Sequence, residues 1–92
     1  MASFHLSIVT PEKVFFEGDV VSLVAPGAAG YLGVLAHHAP LLTTLLPGRL
    51  RFQSAVGAES EVEIGPGFLD VTQNRATLLT ESITPVSTTP KP

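Results

Sequence analysis

Two adjacent histidines, His37 and His38, stand in the stretch Gly30-Tyr-Leu-Gly-Val-Leu-Ala-His-His-Ala-Pro-Leu-Leu-Thr-Thr-Leu-Leu-Pro-Gly48, which is otherwise apolar and carries no formal charge. Imidazole is the commonest metal ligand and a general base suited to neutral pH, so metal binding and hydrolysis are the chemistries to weigh. Neighbouring residues of a strand point to opposite faces. The two rings therefore share an ion only where the chain turns, with a third ligand from His5 or a carboxylate. No His-x-His or His-x-x-x-His spacing occurs. For hydrolysis, Ser54, Ser60 and Ser82 are the candidate nucleophiles, and none lies in the Gly-x-Ser-x-Gly setting of a nucleophile elbow.

Other constellations have simpler readings. Glu59, Glu61 and Glu63 occupy alternate positions beside a polar loop, the pattern of a solvated strand face that also discourages edge pairing. Gly27, Gly30 and Gly33 recur at intervals of three, without the dinucleotide spacing or the following helix that would hold a phosphate, and are read as turn residues. Arg49 and Arg51 are the only close basic pair, and a formal charge of −3 with five Lys and Arg in all argues against a nucleic-acid surface. The absence of cysteine removes disulfides, thiolate nucleophiles and sulfur-ligated zinc, as suits a reducing compartment.

These residues must be positioned by elements that one small domain can supply. A chain of 92 residues buries about 60 to 65% of its unfolded surface, enough for a single core. Nothing formally charged occurs from Val20 to Gly48, and mean hydropathy is +0.38. A membrane-spanning helix is nonetheless rejected, because Pro26, Gly27, Gly30, Gly33, His37, His38 and Pro40 interrupt that stretch. No export or organelle signal is read at the N-terminus.

Phe4, Leu6 and Ile8 alternate with His5 and Ser7, predicting a strand that ends at Thr10-Pro11-Glu12. A second extended stretch, Lys13 to Phe16, leads to an expected turn at Glu17-Gly18-Asp19, after which Val21, Leu23 and Ala25 take one face as far as Pro26-Gly27. Tyr31 to Leu35 and Leu41 to Leu46 are short apolar runs whose flanking Gly and Pro favour strands. Leu50 and Phe52, then Val62 and Ile64, alternate with charged residues as in half-buried antiparallel strands. Gly65-Pro66-Gly67 and Gln73-Asn74-Arg75 introduce two more strands. The expected fold is all-β: a flattened β-sandwich or barrel of about eight to ten short, mostly antiparallel strands in two sheets. The domain is expected to span 1–82, with 83–92, which contains three prolines, as a flexible tail.

The uncharged block from Val20 to Gly48 exceeds what the interior of one small sandwich needs. Apolar surface left on such a domain is normally covered in the working complex, and stable interfaces take about 800 Å² per partner. Histidine suits a seam of this kind, offering an apolar ring with a hydrogen-bonding edge.

Phe4-His-Leu-Ser-Ile-Val-Thr-Pro-Glu, Gly30-Tyr-Leu-Gly-Val before His38-Ala-Pro-Leu-Leu-Thr, Pro47-Gly48, Gly65-Pro-Gly-Phe-Leu-Asp-Val and Asn74-Arg-Ala-Thr-Leu-Leu, in that order, resemble the epsilon subunit of F-type ATP synthase from Phe4 to about Ser82. The resemblance implies a non-catalytic subunit of the rotor, or central stalk, that grips the gamma subunit and rests on the membrane c-ring, coupling ion translocation to ATP synthesis. It implies no cofactor, no catalytic or metal residues, and a peripheral location on the cytoplasmic face of the bacterial inner membrane, membrane-associated only through the complex. By position, Thr10, His38, Ala39, Pro40, Leu41, Leu42 and Thr43 match the family's gamma-facing surface, and Ala28, Ala29, Gly30 and Tyr31 match the loop that meets the c-ring.

The chain departs from that family where Tyr31 replaces a frequent acidic residue, where Ala36-His37 replaces a frequent Pro-Gly, and where Pro66 interrupts a Gly-Gly pair. It is also expected to lack the family's inhibitory C-terminal helical hairpin, ending in the proline-rich tail instead. The other reading carried forward is a free-standing β-sandwich metal-binding or hydrolytic domain using His37 and His38. A carbohydrate-binding module is disfavoured by the absence of Trp and by a single Tyr set among glycines.

Overall fold

Alternating burial of Phe4, Leu6 and Ile8 against half-exposed His5, Ser7 and Val9 makes the first strand, β1 (Phe4–Val9). In the computed structural model, which describes residues 2–86, eight more strands follow. They are β2 (Val14–Gly27), β3 (Gly30–Val34), β4 (Leu41–Leu45), β5 (Gly48–Ser54), β6 (Glu59–Ile64), β7 (Gly67–Thr72), β8 (Arg75–Thr80) and β9 (Ile83–Pro85). Every pairing is antiparallel except that of β1 with β8. The all-β architecture of short, mostly antiparallel strands is as the sequence predicts.

The two layers are one continuous hydrogen-bonded sheet, because β2 serves both. Its first half pairs with β1, Phe4 opposite Val20 and Ile8 opposite Phe16. Its second half pairs with β5 and β3 and touches β4 at Gly27–Leu45. One layer therefore reads β4-β7-β8-β1-β2 and the other continues from β2 through β5, β6 and β9, with β3 beside β2. Between them lie the inward residues of eight strands, with Leu6, Ile8, Val20, Leu50, Leu69 and Leu78 wholly buried.

Three local readings of the sequence are corrected. Glu17-Gly18-Asp19 is not a turn: the residues pair with Ser7, Leu6 and His5, and the Phe16 ring fills the space over Gly18, 3.3 Å from where a Cβ would stand. The same ring meets Phe52 at 4.7 Å between centroids. The inward residue is Val20 rather than Val21, because a bulge sets Val20 opposite Ser54 but Ser22 opposite Gln53. One extra residue shifts the phase of everything before it. Gly33 lies inside β3 rather than in a turn.

At the C-terminal end, Ile83, Thr84 and Pro85 form β9 on the edge of β6, with Ile83 packed against the core. The sequence gives these residues to the tail because they are few and proline-flanked; the open β6 edge supplies them a partner. Pro85 sits on the edge strand, where its missing N–H costs no ladder bond. The rest of the expected tail, 87–92, lies outside the described residues.

Gly67 is fixed by contact. A Cβ there would collide with the carbonyl oxygen of Leu79 across the β7–β8 ladder, a backbone atom that no side-chain rotation can move aside. Gly67→Ala should therefore lower stability by about 2 to 3 kcal/mol, with a fall in midpoint of roughly 10 to 20 °C by thermal circular dichroism.

Candidate functional site

The two outer faces of this sandwich differ in chemistry. On β5 and β6, Arg49 stands opposite Glu63, Arg51 opposite Glu61 and Gln53 opposite Glu59. Arg49 Nη1 also reaches Glu61 Oε2 diagonally at 3.2 Å. Exposed pairs of this kind add little stability, but they keep the face wetted and its edge unattractive to strangers. The glutamates are thus interleaved with cations rather than gathered around an ion.

On the other layer, registers align Thr44 of β4, Phe68 of β7, Leu79 of β8, Val9 of β1 and Val14 of β2 side by side across five strands. Phe68 is 54% exposed, Leu79 47% and Val14 55%, although each has an apolar side chain that water solvates poorly. Thr44, Phe68, Leu79 and Val9 of this row form the floor of an open groove of about 610 Å³ whose walls include Thr10, Leu45 and Pro66. Glu81 is the only charged residue that lines it among the described residues. Leu42, two positions from Thr44 on the same outward face, is 74% exposed. Farther along the same face the side chains turn polar, with Thr72, Arg75, His5 and Asp19 in register.

Thr80 anchors one wall. Its buried Oγ1 lies 3.0 Å from the Gly65 carbonyl, 3.3 Å from that of Pro66 and 3.2 Å from that of Ser82. Pro66 O also accepts from Glu81 N and Ser82 O from Gly65 N, so the hydroxyl sits among three carbonyls with Gly65 O the nearest. This knot ties the β6–β7 turn to the β8–β9 turn and holds Pro66 at the rim.

The residues that sequence marks for binding fall in three places. Thr10 lines the groove, its hydroxyl donating to Lys13 O at 3.2 Å within its own turn. Leu42 projects outward, whereas Leu41 packs against the core and Thr43 points the same inward way, half-buried. His38, Ala39 and Pro40 lie at the far end of β4, His38 Nδ1 donating to Ala39 O at 2.7 Å. Ala28 and Ala29 form the two-residue tip of the β2–β3 hairpin, between paired Gly27 and Gly30. That tip abuts the groove, since Ala28 N donates to Thr44 O at 3.1 Å. Tyr31 Oη accepts from Arg49 N at 3.2 Å and so straps the hairpin to the start of β5.

Sequence reasoning missed Phe68 and Leu79, the apolar centre between Thr10 and Leu42. The available signal was a doubled apolar residue, Phe68-Leu69 and Leu78-Leu79, in strands that otherwise alternate.

The hydrolytic and metal readings gain no geometry. His5, on β1, faces two carboxylates, Glu17 Oε2 at 3.1 Å from Nε2 and Asp19 Oδ1 at 3.4 Å from Nδ1, whereas His37 and His38 stand in the β3–β4 loop. Among the described residues no group of three His, Asp or Glu side chains is disposed to hold a metal ion, and no hydrogen bond joins a serine to a histidine. Ser54 Oγ instead accepts Ala58 N at 3.1 Å within its hairpin. The described residues contain no helix long and apolar enough to cross a membrane.

A family model described as the ATP synthase delta/epsilon chain, beta-sandwich domain, matches residues 3–86, and the chain belongs to that family. It is 43% identical to the ATP synthase epsilon chain of Chlorobium limicola over 88% of this chain and 92% of that one. With the epsilon chain of Syntrophomonas wolfei the identity is 37%, over 88% of this chain but only 59% of the relative. Among solved structures, a chain of the Euglena gracilis mitochondrial ATP synthase, from a structure of OSCP, F1 and c-ring, superposes with a TM-score of 0.86 at 23% identity, covering 92% of this chain and 54% of that one. At that identity the likeness is one of fold.

Thr80→Val keeps the shape of the buried side chain and removes its donor. The expected loss is about 1 to 2 kcal/mol, with Thr80→Ser retaining most of the wild-type stability in urea unfolding.

Proposed function

We propose that this chain acts as the epsilon subunit of an F-type ATP synthase, a non-catalytic part of the central stalk that joins the gamma subunit to the c-ring. The observation that carries the reading is the apolar groove flanked by Thr10 and Leu42, on the face opposite the Arg and Glu ladder. Relatives named ATP synthase epsilon chain, matched over most of this chain, support it, as does the likeness of fold to a chain in an F1 and c-ring assembly. In this reading the β4-β7-β8-β1 face seats gamma, with Thr10 on one flank and His38, Ala39, Pro40, Leu41, Leu42 and Thr43 along the other. The tip Ala28, Ala29, Gly30 and Tyr31 meets the ring. The subunit sits peripherally on the cytoplasmic face of a bacterial inner membrane, held there by the complex alone.

The physical task is to transmit torque without slip. Burying a large apolar side chain contributes about 1.5 to 3 kcal/mol, so Phe68, Leu79 and Leu42 together supply a grip that does not depend on salt. Two stiff layers sharing β2 then pass the load from that grip to the hairpin tip.

Two measurements test this. Leu42→Asp should lower the thermal midpoint only by a few degrees, since the side chain is exposed and the cost is the like charge of Asp70 opposite it, yet weaken binding to purified gamma by about 2 kcal/mol or more, roughly thirtyfold by titration calorimetry. Arg51→Glu on the opposite face should leave affinity unchanged, and equal effects from the two variants would refute the assignment of faces. The tip carries no formal charge from Ala28 to Tyr31. Association of the gamma–epsilon pair with c-ring should therefore vary little between low and physiological salt, and a steep decline with salt would count against this contact.

A further inference from the structure

Asn74 occupies the second position of a two-residue turn between β7 and β8, with φ of 50° at Gln73 and 60° at Asn74. Two successive positive φ values are the mark of the type I′ hairpin turn, where Asn is among the few residues tolerated without strain. The side chain does more than permit the turn. Its Oδ1 accepts the backbone N–H of His37 at 2.7 Å, and its Nδ2 donates to the carbonyl of Ser3 at 2.9 Å. Its own carbonyl accepts from His5 N at 3.2 Å. An N–H on one side and a C=O on the other fix which way the amide points.

His37 lies in the loop that carries the chain from β3 to β4. The loop turns at Leu35 to His38, His38 N donating to Leu35 O at 3.2 Å, with His37 itself at a φ of 64°. A residue with a β-carbon held in that region is strained and stays there only when its surroundings insist. The bond from Asn74 is that insistence. It is the shortest hydrogen bond made by the loop's backbone to the rest of the molecule, and it sets the direction in which the chain enters Ala39, Pro40 and Leu42.

We propose that Asn74 is a positioning residue for the partner-facing segment His38 to Leu42: it presets the β3–β4 loop in its docked shape. The inference rests on the reading that this segment meets gamma. Preset loops bind more tightly because the cost of ordering them falls on folding rather than on association. No other residue type meets all the requirements, since Gly offers the backbone geometry without either bond and Asp offers an acceptor without the donor.

The test uses Asn74→Gly and Asn74→Asp in the full chain. Asn74→Gly keeps the hairpin turn and deletes both side-chain bonds, so the protein should stay folded with its thermal midpoint lowered by roughly 5 to 15 °C. Hydrogen exchange at the His37 amide should accelerate, and affinity for purified gamma should fall about tenfold by calorimetry. Asn74→Asp keeps the acceptor for His37 and should restore slow exchange and most of the affinity. Unaltered His37 exchange in Asn74→Gly would overturn the proposal, as would wild-type affinity despite accelerated exchange. If wild-type protein fails to bind gamma, the functional reading falls and takes the docking half of the proposal with it, while the exchange arm still decides whether Asn74 holds the loop.

Discussion

Everything in this fold hangs on the backbone hydrogen bonding of β2. A strand of 14 residues runs far enough to pair with β1 in one layer and with β5 and β3 in the other, and the bulge between Val20 and Ser22 is where it changes allegiance. Bulges bend a strand and sharpen its twist, which lets a single sheet fold over its own core. Were Val21 held in a regular ladder rather than in a bulge, the two halves of β2 would keep one phase, and either Val20 or the Leu23 and Ala25 pair would point to solvent. The bulge therefore fixes the inner surface on which both layers close.

Inside and outside are then assigned by the period of two. Because Leu69, Val71 and Leu78 fill the core, Phe68 and Leu79 are obliged to face out, and no local side chain covers them. The same alternation on β5 and β6 sends Arg49, Arg51, Glu61 and Glu63 outward beside one another, where opposite charges satisfy their neighbours. Solvation is resolved internally on one face and left unresolved on the other.

Much of this is legible in the sequence, and the boundary is physical. Phe4, Leu6 and Ile8, then Leu50 and Phe52, then Val62 and Ile64 announce their strands by alternation alone. Phase changes are silent: Val20 displaces Val21 through a bulge that no residue type marks, and Glu17-Gly18-Asp19 imitates a turn because Gly and acidic residues frequent turns. Of the resemblance-based residues Thr10 lines the groove and Leu42 stands exposed on the same face, while the rest lie off it. The centre of the groove depends on which strands become neighbours, and that is a property of the closed sheet. Asn74 reads as a turn former, but its hold on His37 spans 37 residues of sequence, beyond the reach of any local pattern.

The lone parallel pairing, β1 against β8, has a bearing on how the molecule comes into being. His5 finds Arg75 and Val9 finds Leu79, so the first strand waits for nearly the whole chain before its second edge is closed. Such distant closure is slow compared with helix formation, and strands made early stay unsealed while synthesis continues. On the ribosome, β1 and β2 emerge long before β8. The edge of β1 therefore stays unsealed for the seconds that synthesis takes to reach β8 at about 5 to 20 residues per second.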